Sequence, residues 1–258
     1  MSLSRLCPAC FDTQFAVRFL RDRGRIEFPA GSHRPKRRPE GPHDDPEQSR
    51  PGLPANPSLT RLPNAGPTAI FRRMRILVAI TGASGVWYAQ RLLDHLDPRL
   101  HEVHVVMSNY AQQVIATELP DGLRLAEGVT RHNLKSMNAP FASGSNPPDA
   151  MVVIPCTMGT LGRIAHGFSE DVLLRAADVV LKEKKKLILV PRETPLSLVH
   201  VKNFELLLLA GATILPANPS FYTQPKTIHE VMDTVVARVL DHLGVPQTLM
   251  PKWAEERD

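Results

Sequence analysis

The groups with the clearest chemical potential lie in one small-residue segment that follows an apolar run. Ile76–Ile80 ends in TGASG, residues 81–85, and an amphipathic segment over 86–96 follows at once. This order predicts a buried strand, a tight turn and a helix whose N-terminus presents unpaired N–H groups and a positive dipole end. The turn therefore predicts a phosphate-bearing ligand, with a purely structural turn as the alternative. The glycines follow neither G-x-G-x-x-G nor G-x-x-x-x-G-K-[ST], which favours a mononucleotide over a dinucleotide or a nucleoside triphosphate.

Other short segments combine hydroxyl groups, glycine and charge in a similar way. PCTMGT, residues 155–160, ends an apolar run and precedes a helical pattern, so it is a second candidate anion site. Arg192 and Glu193 form a charge pair between two prolines, and ASGS, residues 142–145, is another hydroxyl-rich loop. A surface ion pair alone contributes under ~1 kcal/mol. Several such loops around one crevice indicate a ligand site.

Charged and aromatic residues in the second half of the chain are further candidates. Arg175, Asp178 and Lys182 are spaced to share one face of a predicted helix, which is either a ligand-binding or a solvated face. Tyr222 lies in a loop with proline and asparagine, where its ring could stack on a ligand or cover the core. Arg238 lies in the last predicted helix, where a single arginine is usually structural.

From Met74 onward, apolar runs typical of strands alternate with amphipathic patterns typical of helices. Strands are predicted at 76–80, 103–107, 150–155, 187–190 and 213–215, and helices at 86–96, 111–118, 160–166, 171–184, 202–210 and 228–243. This alternation predicts an α/β fold with a parallel sheet covered on both faces. Ligands of such sheets bind beyond the carboxyl ends of the strands. We therefore expect the loops at 81–85, 108–109, 156–160, 191–194 and 216–222 to line one crevice.

The chain divides at about residue 73 in charge and in proline content. Residues 1–73 hold 13 of the 31 Lys and Arg residues, 7 of the 26 Asp and Glu residues and 11 of the 24 prolines. We predict a basic Pro/Arg-rich extension over 1–73, disordered over 30–73, and one folded domain over 74–258 that begins at Met74. The folded part holds 18 basic and 19 acidic residues, a balance that does not favour nucleic-acid binding.

Cysteine usage and hydropathy restrict the remaining classes. Cys7 and Cys10 have the spacing of a metal-binding pair, but no second pair completes a zinc site, so no metal is expected. Cys156 is the third cysteine, and so few cysteines fit a reducing, cytoplasmic compartment. No apolar stretch reaches the ~18 residues that suggest a membrane span, so no membrane association is expected.

Taken in order along the chain, these motifs resemble those of one known family. TGASG, ASGS, PCTMGTL, RAADVVLKE, PRETP, NPSFY and VVARVLDHLGV occur over residues 74–253, together with Ser108 and the ATE sequence that ends at Glu118. The combination is similar to the UbiX-type flavin prenyltransferases, a flavoprotein group once labelled polyprenyl-hydroxybenzoate carboxy-lyases. Residues 1–73 have no part in this resemblance.

The resemblance implies a flavodoxin-like Rossmann fold, a three-layer sandwich with a parallel sheet, assembled as a homododecamer with sites between subunits. It implies transfer of a dimethylallyl group from dimethylallyl phosphate to N5 and C6 of reduced FMN. The product, prenylated FMN, would serve a separate UbiD-type decarboxylase, with ubiquinone biosynthesis as one pathway. No D-D-x-x-D motif occurs, so a metal-independent route is expected.

The resemblance also implies roles for residues at matching positions. Those expected to hold FMN are Gly82, Ala83, Ser84, Ser108, Thr157, Met158, Gly159, Thr160 and Arg192. Those expected to hold the substrate phosphate, some across a subunit boundary, are Arg175, Lys182, Tyr222 and Arg238, all suitable donors to a leaving phosphate. Ser84, Glu118 and Glu193 are expected to organise the site and handle protons. The base for ring closure is Glu193, Glu118 or the released phosphate.

One position departs from the family pattern. Where the family often has a Trp whose π face stabilises an allyl cation, this chain has Met137, a polarizable but weaker substitute. The alternatives are a non-catalytic FMN-binding accessory subunit and a flavin-dependent decarboxylase of an aromatic acid or of cysteine. Cysteine decarboxylases of this superfamily use a catalytic His and a P-A-S-A-N-T loop. This chain has no His between His132 and His166 and reads PCTMGTL, so that alternative fits less well.

Overall fold

The computed structural model describes residues 72–251. The predicted disordered basic extension covers residues 1–73. Of these, only Arg72 and Arg73 lie within the described range. The Cys7–Cys10 pair also lies outside the described residues.

The described part of the chain is built around one six-stranded sheet in which all neighbouring strands are parallel. The strand order is β3-β2-β1-β4-β5-β6. The strands are β1 Arg75–Ile80, β2 Glu102–Met107, β3 Thr130–His132, β4 Ala150–Cys156, β5 Lys186–Pro191 and β6 Thr213–Ile214. The strand order reverses between β1 and β4, and in sheets of this kind the ligand crevice opens there, beyond the carboxyl ends of the strands.

Helices cover both faces of the sheet. They are α1 Val86–Asp94, α2 Asn109–Glu118, α3 Met158–Ala165, α4 Val172–Lys182, α5 Leu198–Leu209 and α6 Ile228–Leu243, with a 3-10 turn at Pro140–Ala142. Side chains of α1, α2 and α6 pack with Val78 on one face of the sheet, and side chains of α3, α4 and α5 pack with Leu77 on the other. These two separate cores confirm the predicted flavodoxin-like three-layer sandwich.

Strand β3 is the main difference from the elements predicted from the sequence. It has three residues, of which Thr130 and Arg131 are exposed, so no apolar run marks it. It pairs with β2 in parallel register, with His132 opposite Val106. An edge strand this short depends on its neighbour for its conformation, and local sequence does not predict it.

Capping explains why α5 begins four residues earlier than its hydrophobic pattern indicates. The Oγ of Ser197 accepts the N–H of His200 at 3.3 Å, and Nδ1 of His200 accepts the N–H of Ser197 at 3.2 Å. This is a capping box with His in the position usually taken by Glu or Gln. Within residues 72–251, no helix combines the length and the apolar character needed to cross a membrane.

Candidate active site

The loops that follow β1 and β4 are joined by the hydroxyl group of Thr81. Its Oγ1 donates to the carbonyl of Pro155 at 2.7 Å and accepts the backbone N–H of Thr157 at 2.8 Å. Thr81 is 1% exposed, so water does not compete for either bond. Sequence reasoning did not single out this hydroxyl, whose only signal is its position at the end of a buried strand. It fixes the TGASG turn against the PCTMGT loop.

The loops after β2, β5 and β6 meet the same region. The N–H of Ser108 donates to the carbonyl of Ile80 at 2.9 Å, and Nε of Arg192 donates to the carbonyl of Ser84 at 3.2 Å. The N–H of Ala217 donates to the last carbonyl of β5 at 2.9 Å. The five loops expected to line one crevice therefore lie together at the carboxyl end of the sheet.

The N-terminus of α1 is occupied by Glu118. Its Oε2 accepts the N–H of Gly85 at 2.9 Å and the N–H of Val86 at 3.0 Å, and the indole N–H of Trp87 donates to its backbone carbonyl at 3.0 Å. A carboxylate is well placed at the positive end of a helix. The chain itself therefore supplies an anion to these first amides of α1. That Gly82, Ala83 and Ser84 of the same turn hold FMN stays a prediction.

The TGASG turn consists of small residues because α2 lies directly against it. A Cβ added to Gly82 would overlap the Cβ of Tyr110 in the first turn of α2. Gly85 has a φ of 104°, a left-handed conformation that favours glycine and turns the chain into α1. Ala83 is buried, whereas Ser84 is exposed at the crevice end of the turn.

Ser108 and Thr157 hold the starts of α2 and α3. The Oγ of Ser108 accepts the N–H of Ala111 at 3.1 Å. The Oγ1 of Thr157 accepts the N–H of Thr160 at 3.1 Å and donates to the hydroxyl of Thr160 at 3.0 Å. These caps fix two helix starts whose remaining first-turn amides point along the helix axes toward the carboxyl end of the sheet.

The first turn of α3 fits the flavin mononucleotide that the sequence predicts. A Cβ added to Gly159 would meet no atom within 4 Å, so space is open beside this turn. Met158, the preceding residue, is 7% exposed and packs in the core with α4 and α5. The exposed guanidinium of Arg192 stands at the neighbouring strand end. Helix-start amides and a guanidinium are suitable donors to a phosphate or to the polar edge of a flavin ring.

Glu193 lies beside a cavity of about 270 Å³ formed by the loops after β5 and β6. Leu196, Phe204 and Ala217 give part of its lining apolar character. The Oε1 of Glu193 accepts the N–H of Thr194 at 3.0 Å, and the side chain is otherwise exposed. A carboxylate in this position can accept a proton from a bound group.

Thiolate chemistry is not available at the PCTMGT loop. The thiol of Cys156 is buried and donates to the carbonyl of Thr157 at 3.6 Å, and burial raises its pKa to about 12. A nucleophilic cysteine needs the opposite shift. Among residues 72–251, no group of three or more His, Cys, Asp or Glu side chains is placed to hold a metal ion.

The predicted substrate residues of α4 form a second cluster against the ASGS loop. Nε of Arg175 donates to the carbonyl of Ala142 at 3.0 Å, and Nη1 pairs with Oδ2 of Asp178 at 2.6 Å. A Cβ added to Gly144 would overlap Nζ of Lys182. The contacts of the ASGS loop therefore join it to α4 and not to the TGASG turn with which it was expected.

Arg238 and Tyr222 lie apart from the α4 cluster. Arg238 is on α6, has a 61% exposed side chain and pairs with Asp241 at 3.2 Å. Tyr222 is 56% exposed in the loop before α6. Because α4 and α6 pack on opposite faces of the sheet, their axes are separated by roughly twice the ~10 Å spacing of packed layers. Arg175 and Arg238 of one chain cannot grip one phosphate.

Lys182 is also remote from the flavin cradle of its own chain. It ends α4 four residues before β5 begins at Lys186, whereas Arg192 follows the opposite end of β5. A strand of six residues spans about 20 Å. Met137, at the position where the family often has Trp, is 45% exposed in the segment between β3 and β4. The residues predicted to hold FMN thus lie at the carboxyl end of the sheet, whereas those predicted to hold the substrate phosphate are divided between α4 on one face and the region of α6 on the other.

Comparison with known proteins identifies the family of this chain. A model of the Flavoprotein family matches residues 69–240. The flavin prenyltransferase UbiX of Pseudomonas aeruginosa is 44% identical over 198 residues, an alignment that covers 70% of this chain and 95% of that protein. The mitochondrial flavin prenyltransferase PAD1 of Saccharomyces cerevisiae is 41% identical over 186 residues, with coverage of 70% of this chain and 76% of that protein.

Two solved structures are similar over the same region. A UbiX (PadA1) crystal structure in complex with FMN and dimethylallyl pyrophosphate has a TM-score of 0.67 and 40% identity, covering 72% of this chain and 100% of that one. A dodecameric FMN-dependent UbiX-like decarboxylase from Escherichia coli O157:H7 has a TM-score of 0.66 and 41% identity, covering 70% of this chain and 99% of that one. The chain therefore belongs to the Flavoprotein family and, within it, to the UbiX-type flavin prenyltransferases.

Proposed function

We propose that this chain transfers a dimethylallyl group from dimethylallyl phosphate to N5 and C6 of reduced FMN. The observation that carries the proposal is that two kinds of region suited to anions lie at separate places in the fold. Loops at the carboxyl ends of the strands form a polar cradle suited to FMN, and exposed cations on α4 and α6 are suited to a second phosphate. A protein that only stored a flavin would need the first group alone.

The reaction exchanges one bond to oxygen for two bonds to the flavin. The C–O bond of dimethylallyl phosphate breaks, and the phosphate leaves with the electron pair. When bound, reduced FMN supplies N5 and C6 as nucleophiles. Bond formation at N5 releases one proton, and ring closure adds a proton to the allyl double bond while C6 loses one. Donors held around the leaving phosphate stabilise the negative charge that develops on it, and we assign this role to Arg175, Lys182, Tyr222 and Arg238.

The two candidate carboxylates differ in how far their oxygens are already used. Both oxygens of Glu118 lie within hydrogen-bond distance of the amide of Gly85, and Oε2 also accepts the amide of Val86. Glu193 accepts a single amide and faces a cavity. This difference favours Glu193 as the proton acceptor and Glu118 as the residue that organises the turn beside Ser84.

We further propose that the phosphate site forms between copies of the chain. The opposite positions of α4 and α6 support this, because a phosphate can meet both sets of cations only where two chains adjoin. The dodecameric relative gives independent support for assembly. The prenylated product would then be passed to a separate UbiD-type decarboxylase.

The direct test is anaerobic incubation of the purified protein with reduced FMN and dimethylallyl phosphate, followed by mass spectrometry of the released flavin. We expect a gain of one C5H8 unit, lost in Lys182→Met and retained in Lys202→Met, a matched change of an exposed lysine on α5. A parallel incubation with dimethylallyl diphosphate tests the donor. Unmodified FMN from both donors would reject prenyl transfer and favour an accessory FMN-binding role.

Subunit mixing tests the shared site. Lys182→Met and Arg238→Met are each expected to be inactive, and their co-expression is expected to restore turnover at about a quarter of the sites, because random assembly pairs the two intact residues at that frequency. If both residues served the same site from the same chain, no mixed site would hold both, and co-expression would restore nothing.

A further inference from the structure

A chain of polar contacts lies beside the segment that connects β3 to β4 and is not part of the site described above. This crossover segment, residues 133–149, packs on the same face of the sheet as α3 and α4. It carries Met137 and the ASGS loop. Phe141, which is fully buried, anchors its 3-10 turn.

The contacts run between three strands and the two ends of the crossover segment. Nε2 of His132 lies 2.8 Å from Nδ1 of His104, and Nε2 of His104 lies 2.9 Å from Oε1 of Glu102. The same Oε1 lies 3.0 Å from Nε of Arg75, whose Nη1 donates to the side chain of Asn146. We call these five residues the histidine chain.

The histidine chain ties down both ends of the crossover segment. His132 directly precedes the segment, and Asn146 lies near its other end. The rings of His104 and His132 also contact Phe141, with centroids 5.6 and 4.8 Å away. Because β3 has only three residues, backbone pairing alone gives this end of the segment little support.

Hydrogen-bond geometry limits how many protons the rings of His104 and His132 can carry within the histidine chain. A carboxylate only accepts, so Nε2 of His104 carries a hydrogen toward Glu102. Nδ1 of His104 and Nε2 of His132 then share one hydrogen between them. If both rings were cationic, two N–H groups would face each other at this contact and repel. The pair therefore holds at most one proton beyond its neutral state.

The surroundings of His132 act against its protonation. Burial lowers the pKa of His132, and the charge of His104 lowers it further. Burial raises the pKa of Glu102, but its contacts with His104 and Arg75 more than offset this, so its pKa is lowered and it stays a carboxylate. Phe141 and the buried face of α4, which consists of apolar residues only, add no charge.

The crossover segment in turn touches the cations assigned to the substrate phosphate. Nε of Arg175 donates to the carbonyl of Ala142 at 3.0 Å, and Gly144 has no room for a Cβ beside Nζ of Lys182. A shift of the segment would move the carbonyl that orients Arg175 and the backbone against which Lys182 rests.

We infer that the histidine chain is a positioning device that holds the crossover segment and thereby sets where Arg175 and Lys182 lie. The contacts above support the claim that the histidine chain holds the crossover segment. The expected effect on binding of dimethylallyl phosphate rests on the proposed function. The device releases the segment when both rings of the pair are cationic, because the two facing N–H groups then repel each other.

Amide hydrogen exchange of the full chain tests the structural consequence at neutral pH. In His132→Leu, peptides covering 133–149 are expected to exchange about tenfold faster than in the wild type, while peptides covering 75–80 are unchanged. His132→Gln keeps an N–H donor near the position of Nε2 and is expected to restore slow exchange. The control is His242→Gln, an exposed histidine on α6. Unchanged exchange over 133–149 in His132→Leu would overturn the inference.

Kinetics test the link to the substrate site. In His132→Leu the KM for dimethylallyl phosphate is expected to rise about tenfold or more, with the Kd of FMN unchanged. An equal loss of FMN affinity would indicate general destabilisation and contradict positioning. If the wild type transfers no dimethylallyl group, the proposed function fails, and the exchange experiment still decides whether the histidine chain holds the segment.

A pH comparison isolates the proton dependence. Wild-type exchange over 133–149, corrected for intrinsic rates, is expected to rise between pH 7.5 and pH 5, whereas His132→Gln, which cannot take up the proton, is expected to change less. This arm also serves if His132→Leu does not fold. Identical pH responses in the two proteins would show that protonation of the pair does not release the segment.

Discussion

The loops at the carboxyl end of the sheet and the outer faces of α4 and α6 both carry groups suited to anions, but they are held in different ways. In the loops, bonds join distant segments, such as Thr81 to Thr157 and Arg192 to the carbonyl of Ser84. On the helices, each cation pairs with an acid no more than three residues away, and only Arg175 also makes a distant bond, to the carbonyl of Ala142. These pairs are Arg175 with Asp178, Lys182 with Glu183 and Arg238 with Asp241.

The difference supports our proposal that one chain completes the flavin cradle but not the phosphate site. Bonds between distant segments are fixed by the whole fold, so the flavin cradle is formed before any ligand binds. Exposed ion pairs between residues one or three positions apart contribute under ~1 kcal/mol and are readily exchanged for a phosphate. The helical cations are therefore available to a ligand or to another copy of the chain.

The largest effect that sharpens this comparison is expected from Arg175→Met. It removes the guanidinium charge while keeping much of the side-chain volume, so stabilisation of the leaving phosphate is lost. We expect kcat/KM for dimethylallyl phosphate to fall about 100- to 1000-fold, with the Kd of FMN unchanged. Steady-state kinetics and flavin fluorescence titration measure the two quantities. Arg163→Met, a change of an exposed residue on α3, is the control. A parallel loss of FMN binding in Arg175→Met would indicate that the two regions form one site.

Glu118→Gln tests whether the flavin cradle depends on long-range bonds. The amide keeps one acceptor but loses the negative charge at the start of α1. We expect the free energy of unfolding to fall by about 1–3 kcal/mol and FMN binding to weaken. Urea unfolding and fluorescence titration check this, with the exposed Glu205→Gln as the matched control. Wild-type stability in Glu118→Gln would mean that the turn does not need this carboxylate.

Acid should weaken the fold through histidines that belong to neither region. Burial lowers the pKa of His95, helped by the charge of Arg91, and burial likewise lowers the pKa of His101. Below about pH 6.5 the unfolded chain binds protons that the folded chain does not, so the free energy of unfolding decreases as pH falls. Urea unfolding between pH 7.5 and 5.5 measures this. His101→Gln should flatten the decrease, and an unchanged slope would exclude His101 as a source.

The smallest effect is expected from Asp241→Asn. This change breaks the exposed pair with Arg238 and should alter the free energy of unfolding by less than about 1 kcal/mol. Thermal unfolding of the variant beside the wild type checks it. A loss above about 2 kcal/mol would show that the α6 pair is held by the fold as tightly as the flavin cradle, and the comparison of the two regions would fail.

Much of the fold could be predicted because its signals are local. The apolar runs of β1, β2, β4 and β5 and the amphipathic period of α6 lie in continuous segments, and each segment predicts its own element. Helix α5 begins earlier than predicted because Ser197 caps it, and the three-residue strand β3 has no hydrophobic pattern that could predict it. Both exceptions depend on contacts that a hydrophobic period does not record.

The site divides along the same line. The sequence alone determined which side chains are available. These are the small residues of the TGASG turn, the hydroxyl groups that cap the helices, the cations of α4 and α6, and Met137 where the family often has Trp. Tertiary structure decided that Glu118 fills the start of α1, that the ASGS loop packs on α4 and that α4 and α6 lie on opposite faces. These outcomes depend on contacts between residues tens of positions apart, and spacing along a chain does not encode such contacts until the sheet order brings the segments together.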